Sequence, residues 1–154
     1  MSVDSPNLHA TAIVIGKTGL LFVGPSGSGK SEMAFSFITE AQRCGLEAAL
    51  VADDQVLMTC SGGTVIANRP AAIAGLLELR GSGIISLKSV ASAEMHCAIT
   101  SMPSPQSPRL PPENERLELG ASASLPLVRI PRDSITPYGK FAALAQNLFI
   151  TKGM

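Results

Sequence analysis

The sequence predicts an α/β fold: a mixed sheet with flanking helices, built around a phosphate-binding loop. Three observations point there. The apolar run Leu20-Leu21-Phe22-Val23 leads straight into the pattern G-x-x-x-x-G-K-S, from Gly24 to Ser31. Apolar residues then recur at helical spacing from Ser31 to Ala41. A second short apolar run, Ala48 to Ala52, closes on Asp53-Asp54.

The elements follow in order. Ala12 to Ile15 and Leu20 to Val23 read as strands joined by the turn Gly16-Lys17-Thr18-Gly19. The helix over 31–41 stops at Gly45, and Ala48 to Ala52 is a buried strand. Val56 to Thr59 and Thr64 to Ala67, parted by Gly62-Gly63, form a hairpin. Pro70 to Leu79 is expected to be a short helix, broken by Gly81-Ser82-Gly83. Ile84 to Leu87 and Met95 to Thr100 are each expected to be a strand. The Pro- and Ser-rich stretch 102–112 is a loop, the core of a loop-rich segment over 102–124. Leu127 to Pro131 is a last strand, and Tyr138 to Ile150 a closing amphipathic helix.

Composition bounds the function. The 154 residues fit a single domain, 1–154. Apolar residues make up 45% and charged residues 16%, as in a globular chain. Lys+Arg and Asp+Glu are 12 each, so no overall basic field draws nucleic acid. No apolar run is long enough for a membrane span, and Met1 to Pro6 lacks the charged and apolar regions of a leader, so a cytoplasmic location is expected. Cys44, Cys60 and Cys97 have no metal-binding spacing and are expected to be buried, reduced thiols.

The loop explains its own residue types. Glycines at 24, 27 and 29 let the backbone N–H groups of Pro25-flanked Ser26, Ser28 and their neighbours face a phosphate at close range. The helix beginning near Ser31 adds its dipole. Lys30 neutralises β/γ-phosphate oxygens, and the Ser31 hydroxyl is a hard ligand for Mg²⁺. A nucleoside triphosphate with Mg²⁺ is therefore the expected ligand. Asp53 and Asp54, on an extended segment, are expected to point opposite ways, one toward the metal and one toward a reacting hydroxyl. His9 precedes the first strand, and Glu78 and Arg80 are charges set among apolar residues and glycines that need partners.

Taken together, His9, GPSGSGKSE over Gly24 to Glu32, LVADD over Leu50 to Asp54 and LLELRGSGII over Leu76 to Ile85 resemble the catalytic domain of bacterial HPr kinase/phosphorylase. The pattern looks like the short, single-domain form typical of alphaproteobacteria. The resemblance implies a fold similar to the nucleotide core of phosphoenolpyruvate carboxykinase. It implies transfer of phosphate from ATP to a seryl hydroxyl of an HPr-type phosphocarrier protein, and a homo-oligomer, the hexamer. By position it makes His9 supportive of catalysis, and gives Lys30 and Ser31 the loop's lysine and metal-ligand roles. It places the general base in the pair Asp53-Asp54, makes Glu78 a second Mg²⁺ ligand and aligns Arg116 with a catalytic arginine. The basic, glycine-containing loop linked to dephosphorylation has no counterpart in Ile130 to Pro137, so the kinase direction is implied without the phosphorylase direction. Two other readings remain: a small-molecule kinase of the P-loop type, for which no Arg-rich lid is evident, and a nucleotide-binding sensor that transfers nothing.

Overall fold

The computed structural model describes residues 2–71, 74–101, 110–112, 114–120 and 123–149, with side chains described between 7 and 146. Twelve strands and two helices occur among them, in the order β1 (Ser2–Leu8), β2 (Ala10–Ile15), β3 (Thr18–Val23), α1 (Lys30–Arg43), β4 (Ala48–Ala52), β5 (Val56–Ser61), β6 (Thr64–Asn68), β7 (Leu76–Leu79), β8 (Gly83–Ser86), β9 (Ser92–Met95), β10 (Cys97–Thr100), β11 (Arg116–Glu118), β12 (Ser124–Arg129) and α2 (Pro137–Phe149).

A six-stranded mixed sheet, β11-β12-β10-β3-β2-β4, forms the centre. Its strands are buried because they alternate two apolar faces. Leu20 and Phe22 of β3, with Ile13 and Ile15 of β2, face α1 and α2. Leu21 of β3 and Ala10 and Ala12 of β2 face a second sheet, β1-β5-β6-β9. The helical side holds an aromatic cluster in which Phe37 meets Phe22, Tyr138 and Phe141 at ring-centroid distances of 5.0, 5.5 and 5.7 Å.

The parallel strands set the position of the site. β10 runs parallel to β3, with Thr100 opposite Val23, and parallel to β12, with Thr100 opposite Arg129. All three therefore end at one edge, and the residues that follow, Gly24, Ser101 and Ile130 onward, emerge together. Ligands in open α/β sheets bind beyond such carboxyl ends.

Helix α1 ends on two bonds of a Schellman motif, Leu46 N to Ala41 O and Gly45 N to Gln42 O, as the stop at Gly45 anticipates. The hairpin at Gly62-Gly63 is present as β5 and β6. Three expectations change. Pro70 to Leu79 is not a helix: Leu76–Leu79 is β7, paired antiparallel with β8. Leu77 is fully buried and Leu79 partly buried, whereas Leu76 and Glu78 point outward, a period of two that a helix cannot satisfy. Residues 72 and 73 of that stretch lie outside the described residues. The single strand over Met95 to Thr100 is two strands, β9 and β10, in different sheets. His96 divides them, its N–H donating to Gly19 O at 2.8 Å while its Nδ1 accepts from Gly19 N at 3.0 Å. Finally, Cys60 and Cys97 are buried free thiols but Cys44, at the end of α1, is exposed.

Strands β1 and β11 add edges that the sequence reading does not contain. The loop at 102–109 and residue Ile150 lie outside the described residues. Among the described residues no helix is long and apolar enough to cross a membrane.

Candidate active site

A cleft of about 730 Å³ opens at the carboxyl edge of the parallel strands, and its walls include His9, Ser26, Gly27, Gly29, Lys30, Ser31, Asp53, Asp54, Glu78, Arg80 and Arg132. Its floor is the loop between β3 and α1. Gly27 and Gly29 take φ values of 83° and 89°, a left-handed conformation that side chains with a Cβ resist. Gly29 is the N-cap of α1, and no side chain caps that end. The first-turn N–H groups thus keep their capacity for an anion. Ser28 Oγ is buried with no hydrogen-bond partner and lies 2.7 Å from where a Cβ on Gly24 would stand. The Ser28 carbonyl is held by Ser101 Oγ at 3.2 Å, where β10 ends. Gly24 and Pro25 complete the loop, and their carbonyls accept from Lys30 Nζ at 3.0 and 3.1 Å. Lys30 is only 8% exposed. Burial pulls its ammonium below the ordinary lysine value, opposed by the charges of Asp54 and Asp53.

The two aspartates diverge into different surroundings. Asp53 is locked by three donors. Its Oδ1 accepts from Ser31 Oγ at 2.6 Å and from Thr11 Oγ1 at 2.9 Å, and its Oδ2 from the Glu78 N–H at 3.3 Å. Asp54 instead takes a left-handed φ of 74°, which turns it toward His9, with Nε2 to Oδ1 at 2.6 Å. A carboxylate only accepts, so Nε2 carries the proton of that bond. The divergence was anticipated from strand alternation, but β4 ends at Ala52 and the left-handed turn produces it. The Asp54 side chain is 70% exposed and that of His9 46%, so an incoming group can reach both.

Register explains this convergence. In β2 and β3, Ala10 pairs with Val23, so His9 continues alongside Gly24. In β2 and β4, Ala12 pairs with Ala52, which sets Thr11 beside Asp53.

The structure does not bring Arg116 to the cleft. It sits on β11, where its Nε donates to Ser124 Oγ at 2.8 Å and its Nη2 to the Ser124 carbonyl at 3.2 Å. The guanidinium groups at the phosphate loop belong to Arg80 and Arg132. Arg132 Nη1 donates to Gly27 O at 3.2 Å, and a Cβ on Gly27 would lie 3.7 Å from Arg80 Nη1. Sequence reasoning missed Thr11, Ser101 and Arg132. A lone hydroxyl in the buried run Ala10-Thr11-Ala12 was the available signal for Thr11. Arg132 follows a predicted strand end, which was the signal for it.

The residues fit a magnesium nucleotide. The oxygen donors Ser31 and Asp53 lie side by side, with Glu78 on the same wall. Among the described residues no group of three or more His, Cys, Asp or Glu side chains is gathered as a metal cage. Mg²⁺ binds through one or two carboxylates together with waters and substrate phosphates.

Comparison with known proteins follows this geometry. An 80-residue segment is 39% identical to an HPr kinase/phosphorylase of Clostridium botulinum (strain Eklund 17B / Type B), covering 52% of this chain and 24% of that protein. An 83-residue segment is 34% identical to an HPr kinase/phosphorylase of Mycoplasmopsis pulmonis (strain UAB CTIP), covering 54% and 25%. The chain thus spans about a quarter of the length of the curated relatives it matches. In fold it resembles the solved Hpr(Ser) kinase/phosphatase from Coxiella burnetii, with a TM-score of 0.76 at 23% identity, over 97% of this chain and 100% of that one. Residues 3–98, more than half of the chain, match the family model of the HPr serine kinase C-terminal domain, and the chain belongs to that family.

Proposed function

We propose that this chain is an ATP-dependent protein serine kinase acting on an HPr-type phosphocarrier protein, with residues 1–154 as one catalytic domain. The carrying observation is the pairing of an uncapped phosphate loop with two aspartates in different surroundings, one tied to Ser31 and one to His9.

In this reading the triphosphate lies on Gly24 to Ser31, with Lys30 released from the loop carbonyls to the β/γ-phosphates. Ser31 and Asp53 hold Mg²⁺, with Glu78 as a further ligand; the ion neutralises phosphate charge when bound. Asp54 is the general base. It takes the proton of the acceptor serine as the seryl oxygen–phosphorus bond forms and the bond from phosphorus to the β-phosphate oxygen breaks, releasing ADP. His9 donates to Asp54 and fixes its orientation. Arg80 and Arg132, rather than Arg116, face the dispersed phosphate charge.

A protein acceptor is favoured by the rim. Ile135, 96% exposed, lies between Ser134 and Pro137 of the cleft wall, and Ile84, 68% exposed, is on β8 opposite Glu78 of that wall. Exposed apolar side chains beside an open cleft suit a macromolecular partner. The same reading takes the chain to be cytoplasmic and to assemble as the hexamer implied by resemblance. It takes the phosphorylase direction to be weak, because Ile130 to Pro137 lacks the basic glycine-containing loop.

The test incubates the chain with ATP–Mg²⁺ and a purified HPr-type protein, followed by mass spectrometry. One added phosphate on a serine supports the reading. Phosphorylation of an offered metabolite alone would favour a small-molecule kinase, and ATP binding with no product at all a sensor. Inorganic phosphate supplied to the phosphorylated carrier should form little pyrophosphate, and the carrier should keep its phosphate.

A further inference from the structure

Near the far end of α1 stands a carboxylate that the proposed chemistry does not use. Glu40 Oε1 accepts the Tyr138 N–H at 3.2 Å and its Oε2 the Gly139 N–H at 3.1 Å. These are first-turn groups of α2, which have no partner within their own helix. α2 has no acidic residue in its first turn, so the cap comes from a different helix.

The segment leading into α2 is pinned at its other end on the phosphate loop. Arg132 Nη1 donates to Gly27 O at 3.2 Å, and Arg132 Cδ packs 3.6 Å from where a Cβ on Gly29 would lie. Residues 131–134 form a turn closed by Ser134 N to Pro131 O, and Lys140 Nζ of α2 donates to Ser134 Oγ at 2.9 Å. Residues 131–136 thus form a strap along α1, from Gly27 to Glu40. Ile135 within it is 96% exposed, so burial of that side chain does not hold the strap down. The polar anchors at its two ends hold it together with the packing of the first turn of α2, where Pro137 is buried and Tyr138 meets Phe37.

We propose that Glu40 is a positioning residue: by clamping the start of α2 it fixes the strap and holds the Arg132 guanidinium over the phosphate loop. This rests on the nucleotide reading given above. If Glu40 acts through Arg132, removing either group should cost the same interaction, and removing both should cost no more.

Calorimetric titration with MgADP of the whole chain, Glu40→Ala, Arg132→Ala, the double variant and Glu40→Gln tests this. Arg132→Ala and Glu40→Ala should each weaken binding about tenfold, the scale of one charged hydrogen bond. The double variant should match Arg132→Ala, and Glu40→Gln, which keeps one carbonyl acceptor, should recover part of the loss. If Glu40→Ala does not fold, Glu40→Gln completes the same cycle. Wild-type affinity in Glu40→Ala beside a weakened Arg132→Ala would overturn the proposal, as would losses that multiply in the double variant. A parent chain with no affinity for MgADP would instead bring down the nucleotide reading, and this one with it.

Discussion

At the scale of single residues the site divides two like side chains by their neighbours. Asp53 accepts from Ser31, Thr11 and the Glu78 N–H, whereas Asp54 meets His9 and solvent. Asn at 54 keeps the shape and loses the base, so Asp54→Asn should lower kcat on the order of 10²–10⁴-fold with little change in MgADP affinity. Asp53→Asn should instead raise the Mg²⁺ concentration needed for half-maximal activity. Equal kinetic damage in the two variants would refute the division. Lys30 shows a cost of the same design. Its pKa is lowered in the folded chain, chiefly by burial. Between the folded and unfolded values the unfolded chain holds more protons, so stability rises with pH through that window. Below it Lys30 is charged in both states and the burial penalty stands in full. Lys30→Met should therefore melt no lower than the parent at neutral pH, while affinity for MgATP falls about a hundredfold. Thermal scans with and without MgATP check both halves. Cys97 belongs at the other extreme, its thiol pushed up to about 12 by burial and so inert.

At the scale of elements, what was legible was what is local. The phosphate loop is contiguous, and its flanking strand and helix each carry a full apolar period, so β3 and α1 could be placed from residue types alone. The hairpin β5–β6 was legible in the same way through Gly62-Gly63. β7 was not, because four residues cannot display a period clearly, and only pairing with β8 decides which leucines turn inward. β1 was invisible because Ser2 to Asn7 carries little apolar alternation and is held by its ladder to β5. Thr11, Ser101 and Arg132 reach the site through strand register and topology, which no local pattern encodes, and the loose motif match at Arg116 led elsewhere for the same reason. One junction between elements is unusually tight. A Cβ on Gly19 of β3 would lie 1.9 Å from the Glu94 backbone carbonyl of β9. Backbone cannot yield as a side-chain tip can, so Gly19→Ala should destabilise by about 3 kcal/mol or more in urea unfolding. A loss under 1 kcal/mol would mean that the two sheets slide apart easily.

At the scale of the whole molecule, two apolar layers share one central sheet, and the helical layer rests on few large side chains. Phe37 is fully buried and meets three rings drawn from β3 and α2. Phe37→Ala should cost about 3–5 kcal/mol. It should also weaken MgADP binding, because α2 and the segment before it lose their seat on α1. Denaturation and calorimetry on the same sample separate the two effects, and unchanged affinity in a folded Phe37→Ala would uncouple that layer from the cleft.

Tyr138 gives the molecule an optical handle. The chain has no tryptophan and one tyrosine, and that tyrosine lies at the first turn of α2 with its backbone N–H on Glu40. Partial burial and the nearby Cys44 and Glu40 charges raise its phenol pKa. Emission excited near 280 nm therefore originates at a single place, where the two helices meet. Without any attached dye, its intensity should change when MgADP is added, and the change should vanish in Arg132→Ala. The same ring thus serves as packing and as an intrinsic fluorophore for the segment beside the phosphates.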